Sequence, residues 1–64
     1  MSLADNLNEI AAQKNISMYR VAKDGELSIS YVWDIFKGNR ENPSLNILKK
    51  LAKGLDVTVE DLIN

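Results

Sequence analysis

At 64 residues the chain is read as one domain with one core, because a polypeptide of this size buries only about 60% of the surface it exposes when unfolded. Cysteine and histidine are both absent, which excludes a disulfide scaffold, the common thiolate and imidazole metal sites, and every catalytic scheme that needs a histidine base. The net charge of −1 hides an asymmetry: all eight basic residues lie between Lys14 and Lys53 with only Asp24, Glu26, Asp34 and Glu41, a net +4, while Asp5, Glu9, Asp56, Glu60 and Asp61 make both ends acidic. A polyanion would therefore meet the middle of the fold. No apolar run approaches the roughly 20 residues that span a bilayer, and no basic-then-apolar leader opens the chain. A cytoplasmic protein with no membrane partner and no cofactor is expected.

The opening Met1-Ser2-Leu3 reads either as an added leader or, with Ser2 three residues before Asp5, as a helix start. Leu3, Leu7, Ile10 and Ala11 then recur at helical spacing, with Asp5, Asn6, Asn8 and Glu9 on the solvent side, which predicts a first helix over Leu3 to Lys14 stopped by Asn15. Ser17 is a good N-cap for a second helix from Met18 to about Asp24 that buries Val21 and Ala22, with Ile16 as a staple and Gly25 as its end. After the turn Gly25-Glu26-Leu27, Ser28 caps a third helix reaching about Lys37, with Val32 and Ile35 on its core face and Gly38 as its stop.

A polar loop runs from Gly38 to Pro43, whose ring cannot continue a helix. Ser44 caps the fourth helix. Its Leu45, Leu48, Leu51, Ala52 and Leu55 form one face and Lys49, Lys50 and Lys53 the other, while Gly54 is expected to weaken the last turn by up to about 1 kcal/mol. Thr58-Val59-Glu60-Asp61 has the form of a capping box and opens a short fifth helix with Leu62 and Ile63. No period-two alternation is sustained, so the predicted class is all-α: a compact bundle of five short helices. The second and third helices, joined by a tight glycine-containing corner, form a helix-turn-helix, the arrangement that projects one helix into a DNA major groove.

The run Ile16-Ser17, Val21-Ala22, Leu27-Ser28, Ser30-Tyr31-Val32, Ile35, Gly38, Asn42-Pro43-Ser44-Leu45, Leu48, Leu51-Ala52, Leu55, Val57-Thr58 and Leu62 resembles the phage repressor and Cro family over nearly the whole chain. Its most telling part is Gly38 followed after four residues by Pro43-Ser44-Leu45, a loop that core periodicity does not demand. The resemblance implies a repressor-like DNA-binding domain: a five-helix globule that binds double-stranded operator DNA as a symmetric dimer. It also implies that Ile29, Ser30 and Asp34 point toward base edges, with Ser28, Trp33 and Lys37 alongside. Ser17, Met18, Lys37, Arg40, Asn42, Ser44 and Leu45 would lie along the phosphates.

Three positions depart from the family pattern. Glu26 stands where a glycine is common, so either the corner shifts by one residue or Glu26 adopts a positive φ at a cost of about 1 kcal/mol or more. Met18 replaces a glutamine that anchors the second helix to a phosphate. Asp34 puts a negative charge in the groove, where it either accepts from a cytosine amino group or is repelled by the phosphates.

Ile29, Trp33 and Phe36 form a second apolar stripe that reads as core, as a contact to thymine methyls or as a docking face for a partner protein, with Trp33 expected at the surface and Phe36 under the fourth helix. Lys49, Lys50 and Lys53 read as a solvated face, with phosphate contact as the other reading. Asp56, Glu60 and Asp61 are explained by helix ends rather than by a metal, and nothing near them suggests an enzyme.

The leading expectation is a transcriptional regulator, a repressor, dimerising through Leu55, Val57, Leu62 and Ile63 on a palindromic operator. The competing expectation is a protein-interaction module on the same fold with little DNA affinity.

Overall fold

The computed structural model describes residues 2–40 and 42–63; Glu41, counted above among the acids of the basic stretch, lies outside them, as do Met1 and Asn64. Five helices follow in chain order: α1 (Leu3–Lys14), α2 (Met18–Gly25), α3 (Ile29–Phe36), α4 (Leu45–Leu55) and α5 (Val59–Ile63). Each expected capping serine is in place. Ser2, Ser17, Ser28 and Ser44 adopt extended backbone, and each hydroxyl oxygen accepts from the amide three residues on, at 3.2 to 3.3 Å. Thr58 and Asp61 close the capping box reciprocally, Asp61 N donating to Thr58 Oγ1 and Thr58 N to Asp61 Oδ2.

Three of the helix ends share one device. Asn15, Glu26 and Asp56 all sit in the left-handed region, at φ of 57°, 58° and 58°. After each, the amide of the next residue reaches back to a carbonyl five positions earlier: Ile16 to Ala11, Leu27 to Ala22 and Val57 to Ala52, at 2.8 to 2.9 Å. This 6→1 closure satisfies a terminal carbonyl, and the apolar residue that makes it packs back onto the core. The corner therefore closes on Glu26, one residue later than Gly25, which belongs to α2. An L-residue at this conformation carries strain that glycine lacks. Glu26→Gly is accordingly expected to stabilise the fold by about 0.5–1 kcal/mol, read as a higher urea midpoint at unchanged slope. The 4.0 Å approach of Lys53 Nζ to Glu26 is exposed, so its loss should not offset the gain.

Gly25 has a different task. A Cβ at Gly25 would lie 2.6 Å from the carbonyl oxygen of Lys50, and a Cβ at Gly54 would lie 2.6 Å from the carbonyl oxygen of Val21. Each glycine thus lets one helix rest on the other's backbone, and α2 with α4 is the most extensive helix pair in the molecule. Gly54, expected only to weaken α4, is what allows that helix to approach α2.

The core is built from Leu7, Val21, Val32, Ile35, Leu51, Leu55 and Leu62, all fully buried, with Phe36 almost so. Two expectations are corrected. Asn6, placed on the solvent side of α1, is buried, because its Nδ2 donates to the carbonyl of Leu62 at 2.9 Å and holds the end of α5. Leu45 is 60% exposed, since as the first residue of α4 it projects past the bundle, and Ile47 packs on the core instead. Phe36, expected to be covered, is buried, and its carbonyl accepts from Asn8 Nδ2 at 2.8 Å.

Candidate nucleic-acid interface

The third helix presents two faces because of its spacing. Val32, Ile35 and Phe36 go into the core, and this leaves Ser28, Ile29, Ser30, Trp33 and Lys37 at the surface, with Asp34 half-buried. The apolar stripe foreseen on this helix is therefore split: Phe36 is core, whereas Ile29 is 36% and Trp33 43% exposed. The five residues expected to read bases, Ser28, Ile29, Ser30, Trp33 and Asp34, all keep surface on α3 and are brought together by it. Lys37 Nζ sits 4.3 Å from the centre of the Trp33 ring, a cation-π contact that holds both side chains on this surface.

The residues expected along phosphates divide into three groups. Ser17 and Ser44 are exposed N-caps whose hydroxyl oxygens accept from Arg20 and Ile47, so each hydroxyl hydrogen remains available as a donor. Met18 and Leu45 begin α2 and α4, where backbone amides have no intrahelical acceptor. The Met18 side chain packs on the core, so only its backbone can take the place of the absent glutamine. Lys37, Arg40 and Asn42 are exposed around the loop, but Arg40 is turned back toward α3, its Nε 3.7 Å from Asp34 Oδ2 and its guanidinium 4.8 Å from the Tyr31 ring centre. Asp34 thus has an opposite charge beside it, a pairing that sequence reasoning missed because five residues and the turn that ends α3 separate the two.

One electrostatic feature was also missed although the sequence carries it. Among the described residues, the first turns of α2, α3 and α4 hold no acid, whereas α1 has Asp5 and α5 has Glu60 and Asp61. Acids at helix starts offset the positive end of the helix dipole, so the positive ends of α2, α3 and α4 are not offset by acids in their own first turns.

The seam residues fare unequally. Leu55 and Leu62 are fully buried in the core of the single chain and have no surface to offer a second copy, which corrects their assignment to a direct dimer contact. Val57 is half-buried and Ile63 is 61% exposed.

The family profile described as Cro/C1-type HTH DNA-binding domain matches residues 6–64. The chain belongs to this family. Its five-helix, strand-free fold among the described residues is that of the restriction-modification controller protein C.AhdI from Aeromonas hydrophila, with a TM-score of 0.86 and 33% identity over 95% of this chain and 91% of that one. The HTH-type transcriptional regulator DdrOP3 of Deinococcus deserti is 33% identical over 63 residues, which is 98% of this chain and 48% of that regulator. The chain thus spans about half the length of DdrOP3. Neither name denotes an enzyme. No helix among the described residues is long and apolar enough to cross a membrane.

Proposed function

We propose that this DNA-binding domain is a sequence-specific transcriptional regulator that acts as a repressor, placing α3 in the major groove of a palindromic operator and binding there as a homodimer. The observation that carries the reading is the acid-free first turns of α2, α3 and α4 beside the polar, exposed face of α3. Helix N-termini whose dipoles meet no acid, and whose remaining first-turn amides have no intrahelical acceptor, favour phosphate oxygens, while Ser28, Ser30 and the aliphatic Ile29 suit base edges and thymine methyls. In this arrangement Ser17, Met18, Lys37, Asn42, Ser44 and Leu45 orient the domain on the backbone. Val57 and Ile63 supply the apolar surface for the second copy. The likeness to a transcriptional regulator and to a controller protein supports the regulatory half of the reading. Repression is assigned because a protein seated in the groove excludes others from the same stretch of DNA.

The test is to titrate the protein into a pool of labelled random duplexes at low and moderate salt and sequence the bound fraction. Enrichment of an inverted repeat with half-sites about 34 Å apart, bound less tightly as salt rises, is the expected result. No binding at low salt would reject the reading and make the protein-interaction module the better one.

A further inference from the structure

Arg40 arises from the loop beyond Gly38, yet two groups on α3 hold it: the Asp34 carboxylate at its Nε and the Tyr31 ring under its guanidinium. Tyr31 and Asp34 are three residues apart and so lie on one side of the helix. The Arg40 and Asp34 side chains are 54% and 46% exposed, and ion pairs of that kind add little to stability. What the two contacts do is restrict orientation. Together they hold the guanidinium beside α3, with Nε toward the Asp34 carboxylate and the guanidinium carbon over the Tyr31 ring.

We propose that Arg40 reads the acceptor edge of a guanine in the major groove, and that Asp34 and Tyr31 are positioning residues for it. The proposal rests on the DNA-binding reading above. A guanidinium carries five N–H donors in a rigid fork; with the carboxylate on the Nε side, the terminal Nη donors are the ones a ligand would meet. Two such donors match O6 and N7 of guanine. The arrangement also accounts for an acid at mid-helix on the face meant for a polyanion. Asp34 needs no cytosine partner, because Arg40 offsets its charge. Lys37 on Trp33 presents a point charge without a fork and suits a phosphate instead.

The test selects operators from random duplexes with the wild type, Arg40→Lys, Asp34→Asn and the double variant, after thermal melts confirm that each is folded. Arg40→Lys keeps the charge but loses the fork. It should retain non-specific affinity and salt dependence while discrimination at one G·C pair falls about tenfold. Asp34→Asn should weaken discrimination at that same pair by a smaller factor, and should add nothing in the Arg40→Lys background. An unchanged selected sequence with Arg40→Lys would make Arg40 a phosphate contact and overturn the proposal. So would an Asp34→Asn effect at a pair that Arg40→Lys leaves alone, since Asp34 would then read a base itself. A wild type that enriches nothing defeats the regulator reading along with this one, whereas an enriched operator indifferent to Arg40→Lys defeats this one only.

Discussion

Gly54→Ala is expected to destabilise the protein by about 2–3 kcal/mol, the opposite sign to the gain of up to about 1 kcal/mol that helix propensity alone assigns to alanine at a mid-helix glycine. The reason is the 2.6 Å separation between the added Cβ and the Val21 carbonyl oxygen. A backbone atom cannot rotate away as a side chain can, so α2 and α4 must part, and the contacts between them loosen together. Gly25→Ala meets the Lys50 carbonyl at the same distance and should behave alike. For a domain of this size the loss corresponds to a melting temperature lower by roughly 10–20 °C, measurable by circular dichroism. A melting temperature that rose with Gly54→Ala would show that the two helices can separate at no cost.

Neighbouring residues on α5 should give the second large contrast. Leu62 is fully buried and Ile63 is 61% exposed, although both were expected in one seam. Leu62→Ala should cost about 2–5 kcal/mol, comparable to the whole stability of a 64-residue domain, and leave much of the protein unfolded at 37 °C. Ile63→Ser should change stability by less than about 0.5 kcal/mol yet weaken the dimer on DNA, seen as a shift in sedimentation and a steeper dependence of binding on protein concentration. If Ile63→Ser leaves association untouched, the second copy sits elsewhere.

Much of the fold was legible because it depends on local signals. Four serines in N-cap positions and a threonine-aspartate box mark the starts of the helices, and α1 has the bounds its periodicity predicts. The end of α2 was misplaced by a residue because glycine was taken as the left-handed terminator. The pattern that would have found the true end recurs in the chain: an alanine, then four positions on a polar residue, then an apolar one, as in Ala11-Asn15-Ile16, Ala22-Glu26-Leu27 and Ala52-Asp56-Val57. The roles of Gly25 and Gly54 could not be read at all, since a close approach is a property of two segments 29 residues apart.

For the interface the division is similar. The family resemblance implied that Ser28, Ile29, Ser30 and Trp33 are accessible, and each of the four is exposed. Periodicity could not tell Leu55 and Leu62 from Val57, because an apolar residue near a chain end fits a core and a seam equally well. The pairing of Asp34 with Arg40 depends on the path of a loop, which composition does not specify.

The backbone-on-backbone crossing of α2 and α4 would have a mechanical consequence for an operator bound by a dimer. Where helices meet through long side chains, a change of rotamer can absorb small rotations of one against the other; here each glycine rests on the opposing main chain, and no such slack exists. If α3 reads the groove, the helix that braces it, α2, is thereby geared to α4 and, through it, to the segment that carries Val57 and Ile63. A dimer joined there would hold its two reading helices at a fixed separation and twist. Inserting one base pair between the half-sites would then be expected to require winding of the DNA, because the crossing of α2 and α4 offers no slack with which to follow it.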